Sequence, residues 1–147
     1  MIRTLAAFYL ALCFGVASAE PARDLVLARP NDPSPTTLPL HDGVAIIECD
    51  REAILNFYCL RADIAQERAI LSDFSDGILR QGWTMLGEDT ETRPFTYIFQ
   101  RPQPGVDCPL LIMITSNTST QGTRPPLPAG VVEVQLAQTA DITCLFD

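Results

Sequence analysis

His41 is the one imidazole of this 147-residue chain, and it stands beside Asp42. A Ser/His/acid triad would need that ring as its base and a carboxylate to orient it. Adjacent residues of an extended chain point apart, and no Gly-x-Ser-x-Gly elbow occurs. The sequence therefore places His41 as a solvated loop histidine. All ten basic residues are Arg. Without Lys there is no Schiff base, no P-loop lysine and no Ser/Lys dyad. The eighteen acids offer carboxylate pairs for a hydrolase, which needs two of them roughly 5 to 9 Å apart. Asp73 and Asp76 lie three apart on an expected helix, and Glu88, Asp89 and Glu91 crowd one expected hairpin. A chain with a single Trp has no evident aromatic platform for a sugar, so solvation is the expected role of these acids. The acidic hairpin also lacks the Asp-x-Asp-x-Asp-Gly spacing of a calcium loop, and Arg93 opposes a cation there. No cofactor or metal is expected.

Five Cys include Cys13 in an apolar N-terminal run, which leaves Cys49, Cys59, Cys108 and Cys144. Their spacings of 10, 49 and 36 contain no Cys-x-x-Cys knuckle, which argues against zinc or a redox pair. An even four behind an export signal reads as two disulfides in an oxidising compartment. Three pairings are open. A tight hairpin turning at Asp50 to Glu52 would put Cys49 at the turn and Cys59 at the far end, too distant to bond. On that geometry each would bond to Cys108 or Cys144.

Residues 1–19 have the pattern of a cleavable signal: Arg3, twelve mostly apolar residues from Leu5 to Val16, then Ala17-Ser18-Ala19. Leu12 before Cys13 speaks against a lipoprotein signal. The apolar run is too short to span a bilayer, which takes about twenty residues, and none downstream is longer. No stable membrane insertion is expected. The mature chain would begin at Glu20 with nine Arg against eighteen acids, a balance that repels nucleic-acid phosphates. An all-Arg basic set also suits a GC-rich bacterial genome, which makes the periplasm the expected compartment.

The elements that must position these residues make one α+β domain. Residues 20–42 hold five of the twelve Pro and read as an extended arm, with Asp24 to Leu27 as a short edge strand, before a globular domain over 43–147. Val44 to Cys49 reads as a strand. The segment 53–60 reads better as a strand than as a helix, because Asn56-Phe57-Tyr58-Cys59 is a run of mediocre helix formers. Asp63 and Gln66 fit a capping box opening a helix over about 63–81, stopped by Gly82. Its core face is marked by Ile64, Leu71, Phe74 and Ile78, with Glu67, Arg68, Asp73 and Arg80 mainly outside.

Trp83 to Glu88 and Phe95 to Arg101 read as a hairpin, with Phe95, Tyr97 and Phe99 on one face as the partners of the helix. These aromatics could line an apolar pocket, but a core role is expected. Leu110 to Ser116 is apolar on both alternating faces, the pattern of a central strand, while Val132, Val134 and Leu136 alternate with polar residues as in a half-exposed one. Ile142 to Phe146 reads as a closing strand. Residues 102–109 and 117–130 read as Pro-rich loops. The longer one carries Arg124 as a possible interaction residue, with Pro125 behind it, and Asn117-Thr118-Ser119 matches a glycosylation acceptor. The disulfide-stabilised helix-on-antiparallel-sheet plan offers no nucleophile, base or metal cluster. The expectation is a small exported, non-enzymatic binding or accessory module meeting another envelope or secreted protein. A small hydrolase using acids, or a protease inhibitor working through 117–130, is the alternative.

Overall fold

The structure, a computed structural model, describes residues 23–28, 34–49, 56–119 and 126–140. Its main element is an antiparallel sheet of six strands: β3 (Ala45–Ile47), β4 (Asn56–Asp63), β5 (Thr84–Asp89), β6 (Phe95–Gln103), β7 (Val106–Asn117) and β8 (Val131–Ala140), in the order β3-β4-β8-β7-β6-β5. One helix, α1 (Glu67–Arg80), lies on one face of the sheet. The expected α+β plan is what the structure has, and no helix among the described residues is long and apolar enough to cross a membrane.

Period-two burial builds the covered face. Leu60 on β4, Val132, Val134 and Leu136 on β8, Ile112 and Ile114 on β7 and Phe99 on β6 are all fully buried, and they meet Ile70, Leu71, Phe74 and Ile78 of the helix. The aromatic row does serve as core: Phe99 and Trp83 are buried, and Phe95 and Tyr97 pack against them partly exposed. Asp63 caps the helical segment, accepting from the Ala65 N–H at 2.8 Å and opening a 3-10 turn over Ile64–Gln66. The reciprocal half of the capping box is absent. Gln66 instead donates to the Asp42 carbonyl at 3.2 Å. Because the α-helix starts only at Glu67, Ile64 is 39% exposed, and Ile70 takes its expected place in the core.

The described part of the Pro-rich N-terminal stretch contributes Leu25, Leu27 and Leu38 to the core. β1 (Asp24–Leu27) and β2 (Thr36–Pro39) form an antiparallel hairpin beside the helix, and their alternate residues Leu25, Leu27, Thr36 and Leu38 are buried. Three polar links seat it. Trp83 Nε1 donates to Thr36 Oγ1 at 2.9 Å inside the core, and Arg101 stacks on the Trp83 ring while donating to the Ser34 carbonyl. The Gln81 amide bonds both the N–H and the carbonyl of Thr37, at 2.9 and 2.8 Å, and so occupies the edge of β2 as a neighbouring strand would. Gly77 lets the helix approach, since a Cβ there would stand 3.4 Å from Leu38.

Three further expectations are corrected. Residues 102–109 are no loop: β6 and β7 continue through Pro102 and Pro109 to a two-residue turn at Pro104-Gly105, where Gly105 takes φ 73° as the second turn residue. A register shift next to Pro102 accommodates its missing N–H. The Cys pairing is local. β3 and β4 pair with Ile47 opposite Cys59, so the connection is long instead of turning tightly at 50–52. Cys49 then lies within bonding reach of Cys59, with Cα atoms 5.4 Å apart. Cys108 is also disulfide-bonded, whereas Cys144 and the expected closing strand at 142–146 lie outside the described residues. Finally, β8 is an interior strand between β4 and β7, and Glu133 on it is buried, not half-exposed.

Candidate functional site

The antiparallel registers gather at one end of the sheet the features that the sequence singled out separately. The β5–β6 connection, the end of β7, the start of β8 and the start of the helix all lie there, since Phe95 pairs with Ser116 and Asp63 with Val131. Glu67 sits at the centre of this end with only 3% of its side chain exposed. Arg93 grips it bidentately, Nη1 to Oε1 at 2.6 Å and Nη2 to Oε2 at 2.5 Å, and Ser116 Oγ donates to Oε1 at 2.6 Å. Burial pushes this carboxyl toward the neutral form. The hydrogen bonds from Arg93 and Ser116, with the Arg93 charge, outweigh it and hold the group below the usual carboxylate range. The same contact raises Arg93 above its ordinary value.

Arg93, expected at the hairpin tip as a charge opposing a bound cation, is instead engaged by Glu67. It turns inward, with its guanidinium 4.6 Å from the centre of the Phe95 ring. Glu67, placed outside the core face by the sequence reading, lies on it. Positions 67, 71, 74 and 78 share one helical stripe, and the charge is tolerated there because a cation and a hydroxyl meet it. Above it, burial and the nearby Glu88 carboxylate raise the Tyr97 phenol, which stays neutral.

At the hairpin tip, Asp89 is already committed. It accepts from the N–H groups of Thr92 and Glu91 and from the Thr92 hydroxyl, and those bonds lower its carboxyl. Arg124 lies outside the described residues, but both roots of its loop are fixed. Asn117 Oδ1 accepts from the Ser119 N–H and hydroxyl, and the Gly130 carbonyl accepts from the Ile64 N–H at 2.8 Å. His41 pairs across to the helix, Nε2 to Asp73 Oδ2 at 2.8 Å, and not with Asp42. That contact gives Asp73 an imidazole partner, while Asp76 stays exposed. No group of three His, Cys, Asp or Glu among the described residues stands where it could hold a metal ion.

The second face of the sheet has a different character. Alternation along β7 sends Leu111, Met113 and Thr115 away from the helix. The strand lies in the interior of the sheet, yet Met113 is 38% exposed, so the described residues do not cover the sheet over it. Met113 pairs with Ala137 on one side and Ile98 on the other, Ala137 with Phe57, and Ile98 with Gly87. One apolar row thus crosses five strands at right angles to their direction. It spans about 19 Å at about 4.8 Å per strand. Neighbouring rows carry Gln135, Thr115 and Thr96 on one side and Thr139, Leu111 and Gln100 on the other. Among the described residues, charges on this face stand toward its ends, at Arg61 with Glu133 (3.8 Å), at Asp63 and at Asp89, and on its β4–β8 half Cys59, Glu133 and Ala137 are each 3% exposed. Sequence reasoning saw the apolar alternation of β7 but not the row, which depends on cross-strand register.

No family model matches the chain, and no curated protein or solved structure matches it either.

Proposed function

We propose that the protein is an exported, non-enzymatic binding module that meets a protein partner through the open face of its sheet. One observation carries this reading. β7 has the composition of a strand buried on both faces, yet only its helix-facing side is covered by the described residues, and Met113 in its middle is 38% exposed. Methionine is adaptable at contact surfaces, and depletion of charge marks the centre of an interface. The chemistry-bearing residues support the same reading from the other direction. Glu67 is neutralised by Arg93 and held by Ser116, and His41 is paired with Asp73. The Cys49–Cys59 disulfide and the signal-like residues 1–19 fit an oxidising compartment such as the periplasm.

The test is affinity capture from a native envelope fraction with wild type, Met113→Glu and a control, Asp76→Asn, on the exposed side of the helix. The expected result is a reproducible protein retained by wild type and by the control and lost with Met113→Glu. Equal recovery by all three, or no reproducible protein, refutes the reading.

A further inference from the structure

We propose that Met113 is a reversible oxidation site whose conversion to the sulfoxide by a peroxide turns off the contact surface around it. This inference rests on the reading of that surface as a docking site and adds how the docking is controlled. Selectivity follows from the state of the other oxidisable groups. Of the three Met in the chain, Met1 belongs to the signal-like segment and Met85 packs half-buried against the core. Cys49 and Cys59 are bonded to each other and Cys108 is also disulfide-bonded, so none of these offers a thiolate. Trp83 is 3% exposed. Met113 is 38% exposed, which makes it the sulfur side chain that peroxide reaches most readily among the described residues.

The step balances with peroxide as its co-reactant. A sulfur lone pair attacks one peroxide oxygen, an S–O bond forms as the O–O bond breaks, and water leaves, so the sulfur is oxidised and the peroxide reduced. Methionine sulfoxide reductases acting with a dithiol reverse it, releasing the oxygen as water and leaving the dithiol as a disulfide. Placement decides the effect. Met113 pairs with Ile98 of β6, and the surrounding Leu111, Thr115, Thr96 and Gln100 are half-buried and uncharged. β7 is bonded to a strand on each side, so the backbone cannot turn Met113 away from the surface. In the free protein the new oxygen stays in water, and the fold is undisturbed. Under a docked partner the same oxygen loses its water, and a polar group buried without a hydrogen bond weakens docking by at least about 10-fold.

The test treats purified wild type and Met113→Leu with dilute hydrogen peroxide and follows the sulfoxide at each Met by mass spectrometry. Met113 should oxidise at least about 10-fold faster than Met85, and the urea midpoint of the oxidised protein should match that of the untreated one. Untreated, oxidised and reductase-treated forms are then used for capture from the native envelope fraction. Oxidation should cut recovery of the captured protein at least about 10-fold, and the reductases should restore it. Met113→Leu should capture equally with and without peroxide, because Leu keeps the apolar volume and has no sulfur to oxidise. Equal oxidation of the two Met, or destabilisation by the Met113 sulfoxide, overturns the proposal. So does peroxide-sensitive capture by Met113→Leu, since damage elsewhere is then responsible. Capture that is lost in Met113→Glu yet indifferent to peroxide overturns the switch alone and leaves the contact surface standing. An untreated wild type that captures nothing removes the contact surface, and the switch with it.

Discussion

Replacing Arg93 with Ala asks whether the Glu67 carboxylate is held ionised inside the protein. Removing one partner of a buried ion pair costs about 3 to 5 kcal/mol, because the other charge is left without its counterion. Here Glu67 is 3% exposed but the Arg93 side chain is 31% exposed, so water replaces part of what the guanidinium supplied, and Ser116 still donates. The expected loss is therefore about 2 to 4 kcal/mol, a fall of roughly 8 to 15 °C in melting temperature for a domain of this size. Trp83, the single Trp, is 3% exposed and reports unfolding directly in a urea titration.

The loss should also depend on pH. The wild-type carboxyl lies below its unfolded value. Its contribution is present above the unfolded value of about 4.3 and is lost as pH falls through the lower folded value. In Arg93→Ala, desolvation is no longer outweighed, so the gap between the two proteins should narrow on acidification below about pH 4. Replacing all three polar groups, as Glu67→Met with Arg93→Met and Ser116→Ala, should recover most of the loss, because no buried charge is then unpaired. A loss under about 1 kcal/mol, or a gap of the same size at pH 7 and pH 3.5, would refute the argument for a buried, ionised pair.

Three other perturbations probe the scaffold. The double variant Cys49→Ala, Cys59→Ala should lower stability by about 2.7 kcal/mol in chemical denaturation, the chain-entropy value for a cross-link over ten residues. Gly77→Ala should stay within about 1 kcal/mol of wild type in the same assay, because its helix-propensity gain offsets a tight 3.4 Å contact. Gly77→Leu should lose about 2 kcal/mol by displacing the fully buried Leu38. Thr36→Val removes the acceptor for the buried Trp83 N–H and should cost about 1 to 3 kcal/mol, with a shift in Trp83 emission as its local partner is lost.

The helix was legible in its 3.6-residue spacing, and the hairpin of β5 and β6 in its alternation of apolar and polar residues. Glu67 was open to detection and missed, since it occupies the same stripe as Leu71, Phe74 and Ile78. A charge on a stripe is ordinarily counted as solvent-facing unless its partner is known, and Arg93 lies 26 residues away. The β1–β2 hairpin was hidden by its prolines, although Leu25, Leu27 and Leu38 alternate as buried strand residues do. Its polar anchors, Gln81 and Trp83, come from more than 40 residues further along. Cys49–Cys59 was excluded by assuming a two-strand turn at 50–52, and moving the register by a few residues reverses that geometry. The apolar row on the open face belongs to no single segment. Five strands each contribute one residue, and only register brings them together.

The central claim is that the face around Met113 is covered by another protein surface where the protein works. Met113 reports on this itself, because an exposed thioether is oxidised by peroxide to the sulfoxide and a covered one is protected. Its oxidation rate, measured by mass spectrometry with the partly buried Met85 on the helix-facing side as internal reference, should be compared between a native envelope fraction and the purified protein at high dilution. The account predicts that Met113 slows several-fold relative to Met85 in the native fraction. An unchanged ratio would contradict it.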